Sequence, residues 1–302
     1  MPRAASMVCQ SLLRPDMIPS IRAVSLGPLL PSIDGIEITQ SGWMIFAEDG
    51  RHGPAQTRSS AMRHVGILAH SIEGASLCLR TLSQEGARDL GRHEHADVTL
   101  DCIAMGRSMP AWEAGDHGAI RKTLATSVDR LANAGAEFFI CPDNTAHMAL
   151  ECGGEDLALP GLHIAEIVAE KAAAEGYRRV GVLGTKYTMT GPIYPRVLAA
   201  KGIDVEIPDS DERRLIDDII FTELCEGVFT ATSRQRYLDI INRLHSLGCD
   251  AVALVCTEIP LLVTPDVSPL PTLDSTRLLA AAAHQVAIGA RPLPIWYGGA
   301  ID

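Results

Sequence analysis

Two stretches decide the fold: VGILAH, Val65 to His70, and VGVLGT, Val180 to Thr185. Each is a short apolar run rich in Val and Ile that ends on polar residues and leads into a helical pattern, which is how a buried strand reads. They start 115 residues apart, and a second pair keeps nearly the same offset. GAEFFICPDNT, residues 135 to 145, resembles GCDAVALVCTE, residues 248 to 258, and sets Asp143 against Cys256. Working outward, VTLDCIAM (98–105), FFICP (138–142) and AVALVC (251–256) are further strands in a β/α alternation. Their near-continuous apolarity predicts parallel strands covered on both faces, as in doubly wound sheets. The repeat predicts two pseudo-symmetric α/β lobes with parallel sheets, facing each other across a cleft that holds the active site. The expected boundaries are an N-terminal extension over 1–61 without sustained periodicity, a first lobe over 62–162, a second over 163–275, and a C-terminal helix and tail over 276–302 returning to the first lobe.

The chain has 302 residues, 47% of them hydrophobic, enough for a large core. Its formal charge of -11, with no basic block to offset it, argues against nucleic acid as a partner. No apolar run reaches the roughly 20 residues of a membrane helix, and the N-terminus does not read as a secretory signal. Eight cysteines without a C-x-x-C pair signal neither a zinc ribbon nor a thioredoxin-type site. Cys78, Cys102, Cys225 and Cys249 read as buried free thiols, and the compartment as the reducing cytoplasm.

The chemistry gathers at two strand ends. CPDNTAH, Cys141 to His147, leaves a strand and enters a helical stretch, so Asp143, Asn144 and Thr145 lie where backbone N–H groups can hold a carboxylate. Plain helix capping accounts for the same residue types. VCTEIPLL repeats the arrangement with Cys256, Thr257 and Glu258. A helix N-terminus there lowers a thiol pKa and makes Cys256 available as a base.

GVLGTKYTM (181–189), IPDSDERRLIDDIIFTELCEG (207–227) and VCTEIPLLV (255–263) resemble segments of bacterial aspartate/glutamate racemases, the L-aspartate/glutamate-specific type above all. The likeness runs from about Arg63 to the C-terminus. It implies a cytoplasmic homodimeric isomerase that uses neither metal nor pyridoxal phosphate and holds one acid/base group on each face of the substrate α-carbon. The second-lobe motif of the family matches Cys256-Thr257-Glu258. In the first, Asn144-Thr145-Ala146-His147 match but Asp143 replaces the cysteine.

The resemblance therefore implies Asp143 and Cys256 as the catalytic pair, with Asn144, Thr145, Thr185, Lys186, Thr188, Thr257, Glu258 and Ser71 binding a small carboxylic-acid or amino-acid substrate. Asp143, with a reference pKa near 3.9, would need its pKa raised by desolvation to serve as an effective base. His147 would hold its helix in place, and His70 and Glu73 join Ser71 in a loop that departs from the family's glycine-rich turn. Arg107 is a weaker candidate for a substrate-facing cation. Two alternatives remain: a decarboxylase, isomerase or lyase in which Cys256 protonates an enediolate, and a non-catalytic acid-binding protein.

Overall fold

The computed structural model describes residues 62–301 and two short strands before them. Those strands, β1 (Ile36–Ile38) and β2 (Met44–Phe46), pair antiparallel and are a unit by themselves. Apart from this hairpin, the expected extension over residues 1–61 lies outside the described residues.

The body holds two four-stranded sheets, parallel throughout. The first has the order β4-β3-β5-β6, built from β3 (Val65–Ala69), β4 (Val98–Cys102), β5 (Phe138–Ile140) and β6 (Gly161–Leu162). The second contains β7 (Arg179–Leu183), β8 (Asp204–Glu206), β9 (Ala251–Leu254) and β10 (Thr272–Asp274) in the order β8-β7-β9-β10. The two orders are the same order, so the repeat in the sequence is a repeat in the topology. Val65 pairs with Phe138 as Val180 pairs with Ala251. Gly135 and Gly248, one before β5 and one before β9, both take left-handed φ values, +90° and +88°, that side chains with a Cβ rarely adopt.

Alternation along the strands fills both faces of each sheet. Val65, Ile67, Phe138 and Ile140 point into one core, while Leu68 and Phe139 point into another. In the second sheet Val180, Val182, Ala251 and Ala253 face one side and Val252 and Leu254 the other. Each fully buried Val, Leu, Ile or Phe among them contributes about 1.5–3 kcal/mol. β4 is the exception to the expected double burial, because it is an edge strand with Leu100 and Cys102 exposed.

The helices follow from caps and stripes. In the first half, α1 (Ile72–Leu90), α2 (Met109–Ala114), α3 (His117–Asn133) and α4 (Ala146–Leu150) accompany the sheet. Next comes α5 (Ile164–Ala174), which turns Ile164 and Ile167 to the first sheet's core and Ala165, Val168 and Ala172 to the second's. The second half adds α6 (Lys186–Thr190), α7 (Ile193–Ala199), α8 (Ser210–Thr222), α9 (Ala231–Ser246), α10 (Ile259–Leu262) and α11 (Ser275–Ala287). A full capping box, Asp209 with Glu212, starts α8. α11 starts at the end of β10 but buries Leu279, Ala280 and Ala283 in the first sheet's core. Beyond it, Trp296 pairs with Gly161 beside β6. No described helix is long and apolar enough to cross a membrane.

Candidate active site

The residues that matter follow the C-terminal ends of four central strands: His70 and Ser71 after β3, Asp143 to Thr145 after β5, Thr185 after β7, and Cys256 to Glu258 after β9. The ends of the two sheets touch. Thr145 Oγ1 lies 3.4 Å from Thr185 Oγ1, and Thr185 bonds Thr188 Oγ1 at 2.8 Å while capping α6. Asn144 donates to Ser275 Oγ at 3.0 Å and accepts from the buried Tyr194 hydroxyl at 2.5 Å. Ser71 caps α1 by accepting from Gly74 N–H. A Cβ on Gly74 would overlap the Pro142 carbonyl oxygen and stand 2.8 Å from Thr257 Cγ2. The residue before Asp143 and the residue after Cys256 therefore press on one glycine.

Asp143 is held at three points. His70 Nδ1 lies 2.8 Å from its Oδ2, the Ala146 N–H donates to Oδ1 at 3.0 Å, and His147 Nδ1 donates to its carbonyl oxygen at 2.8 Å. Burial pushes the Asp143 carboxyl up, but the charge and hydrogen bond of His70 and the Ala146 N–H outweigh it and hold the group below its ordinary value. This is opposite in direction to the desolvated, raised carboxyl that effective basicity calls for. The Ile164 N–H donates to His147 Nε2 at 3.3 Å, so both ring nitrogens are assigned and the ring is neutral. Burial first, then neighbouring His163, lowers the pKa of His147 to about 3.

Cys256 donates its thiol hydrogen to Glu258 Oε2 at 3.0 Å. Burial, the Glu258 charge and that bond push the thiol well above its ordinary value. The expected lowering by a helix terminus is overturned, because α10 has only four residues and a carboxylate stands beside the sulfur. The resting pair is thus a carboxylate after β5 and a thiol after β9.

Several expected residues stand elsewhere or are occupied. Lys186 Nζ lies 3.8 Å from Asp217 Oδ2 with its side chain 57% exposed, so it reaches outward along α8. Asn144 is a brace between elements of the two sheets, its oxygen and one N–H both engaged. Thr188 is buried behind Thr185 and lines a small cavity with Asn144, Tyr187 and Tyr194. Arg107 lies on the single 3-10 turn that precedes α2. Of the cysteines read as buried, Cys78 and Cys249 are buried and Cys102 and Cys225 are exposed. Cys225 sits on an irregular turn after α8, where helical periodicity no longer predicts which way a side chain faces. All seven described cysteines are free. The pairing of His70 with Asp143 escapes any reading of spacing, since it joins residues 73 positions apart.

Two parallel sheets of like topology whose strand ends meet define a two-lobe racemase fold. The sequence model of the Asp/Glu/hydantoin racemase family matches residues 78–283, and the chain belongs to that family. A candidate Asp/Glu racemase from Yersinia pestis superposes with a TM-score of 0.68 at 32% identity, over 75% of this chain and 100% of that one. An aspartate racemase homologue from Pyrococcus horikoshii OT3 shares the fold, with a TM-score of 0.66, 24% identity, and 75% and 99% of the two chains covered. The broad specificity amino-acid racemase RacX of Bacillus subtilis (strain 168) is 26% identical over 168 residues, 55% of this chain and 71% of that protein. Family and relatives together support racemase activity and an isomerase-type enzyme.

Proposed function

We propose that the protein inverts the carbon next to the carboxylate of an acidic amino acid, aspartate, glutamate or a close analogue, by proton transfer without a cofactor. The observation that carries this reading is the equivalence of Asp143 and Cys256. They follow corresponding strands of two sheets with one strand order, and their neighbours Pro142 and Thr257 meet on Gly74.

The resting protonation states fit one direction of the reaction. The Asp143 carboxylate removes the α-proton, and the C–H electron pair moves into an enediolate on the substrate carboxylate. The Cys256 thiol, turned from Glu258 to the opposite face, delivers its proton and is left as thiolate. The reverse direction starts from protonated Asp143 and thiolate Cys256, both disfavoured by their surroundings. Enantiomers are equal in free energy, so kcat/KM is the same from either side, and the asymmetry shows as a difference in kcat matched by one in KM. Thr145, Thr185 and Thr257, at the meeting of the strand ends, with Ser71 at the start of α1, hold the substrate carboxylates.

A decarboxylase is disfavoured on this reading, because an ionised Asp143 would repel the carboxylate that has to leave. The same reading carries a cytoplasmic homodimer, checked by light scattering of the purified protein and by fractionation. Chiral chromatography after incubation with each enantiomer of aspartate and glutamate tests the function. Appearance of the antipode with the wild type, and none with Cys256→Ser or Asp143→Asn, is the expected result. Tight binding of these acids without inversion would make the protein an acid-binding one.

A further inference from the structure

Neighbouring strands β3 and β5 pair Val65 with Phe138 and Ile67 with Ile140, and continuing that register brings His70 beside Asp143. The His70 side chain is 5% exposed and that of Asp143 15%, so the imidazole lies behind the carboxylate. Its far nitrogen, Nε2, faces the Trp112 indole N–H at 3.4 Å, and the two rings meet edge to face at 5.9 Å. An N–H donor at Nε2 leaves the ring proton on Nδ1, and Nδ1 points at Asp143 Oδ2. Trp112, on α2, is thus the first member of a chain of donors that ends at the carboxylate.

We propose that His70 is a positioning residue for the first-lobe proton acceptor: with Trp112 fixing its tautomer, it donates from Nδ1 and holds the Asp143 carboxylate in one orientation. This rests on the reading of Asp143 as half of the proton-transfer pair. It assigns a role to the residue that follows β3, where the sequence offered only a polar loop.

The electrostatics agree. Burial pushes His70 down, yet the charge and hydrogen bond of Asp143 outweigh it and raise its pKa. Trp112 favours the neutral ring, but neutral or charged, Nδ1 carries a proton and donates. The other titratable groups facing Asp143 are His147, held neutral by its own partners, and Cys141, a buried thiol pushed well up by burial and by Asp143. Neither replaces the His70 bond. Without His70, burial of the carboxylate is opposed chiefly by the Ala146 N–H.

The test has a readout that needs no substrate. Carboxyl-carbon NMR of protein labelled at the aspartate side chain, with Asp143→Asn to assign the resonance, follows Asp143 through a pH titration. In the wild type it titrates below ordinary aspartate. In His70→Ala the midpoint rises by about one pH unit or more. His70→Asn, whose amide N–H stands where Nδ1 was, restores the low midpoint, and His70→Gln, whose amide extends toward the Nε2 place, does not. The acidic limb of kcat/KM for α-deuterium exchange on aspartate and glutamate follows the same order, with kcat falling more than KM rises in His70→Ala. An Asp143 midpoint that is the same in wild type, His70→Ala and His70→Asn overturns the proposal. Failure of the racemase reading is seen separately, as a wild type that exchanges neither acid while Asp143 still responds to His70.

Discussion

The Cys256 thiol and the Glu258 carboxylate, two residues apart, share a hydrogen bond of 3.0 Å, and burial, then the Glu258 charge and that bond, keep the sulfur protonated. Glu258→Gln removes the charge while leaving an acceptor, so the thiol pKa falls. Alkylation of Cys256 by iodoacetamide at pH 8, followed by mass spectrometry of its peptide, is expected to run about three- to fourfold faster for each pH unit by which the pKa drops, the roughly tenfold gain in thiolate being partly offset by its lower nucleophilicity. An unchanged rate would show that burial alone holds the thiol up.

Asn144 ties Tyr194 to Ser275, and all three are buried. Asn144→Ala strands the Tyr194 phenol, while Ser275 keeps its bond to the Leu254 carbonyl, and is expected to cost about 1–3 kcal/mol, read from urea denaturation. Tyr194→Phe in that background should recover part of the loss, since it removes the stranded donor.

Gly74→Ala places a methyl against the Pro142 carbonyl and the Thr257 side chain. The start of α1 then has to move away from both proton-transfer loops. Stability falls by roughly 1–3 kcal/mol, and kcat falls more than the stability change accounts for in a sample that remains folded by circular dichroism.

His147 gives a pH dependence with a definite sign. Its folded pKa of about 3 lies below the ordinary histidine value of 6.5, so the unfolded chain binds a proton that the folded chain refuses. Stability from this group is present above pH 6.5 and is lost as pH falls from there toward 3, by about 1.4 kcal/mol per pH unit. Urea midpoints measured between pH 7 and 5 are expected to drop accordingly, and His147→Gln should flatten that slope.

Lys186→Ala should change kcat/KM by less than about twofold, because an exposed ion pair is worth little and the ammonium faces Asp217 across α8. A loss of tenfold or more would restore Lys186 to the substrate site.

The alternation of Val180 to Leu183 and the duplicated strand ends made the sheets and the equivalence of Asp143 and Cys256 legible, because both follow from local pattern. The ionisation of those two groups was not. It depends on His70, brought in by the register of β3 on β5, and on Glu258, whose carboxylate turns back on the sulfur instead of leaving the helix end to act alone. Lys186 and Asp217 lie 31 residues apart on separate helices, and spacing carries no sign of their meeting. Cys102 was misread for a simpler reason: an edge strand and a central strand of similar composition look alike until the order of the sheet is known.

The central claim is that Asp143 and Cys256 move the α-proton of an acidic amino acid between opposite faces. Proton NMR in deuterium oxide with each enantiomer of aspartate and glutamate measures it directly. The account predicts loss of the α-proton signal together with appearance of the other enantiomer, and no inversion with Cys256→Ser. Inversion that persists undiminished in Cys256→Ser, or a wild type that leaves all four α-protons in place, would contradict it.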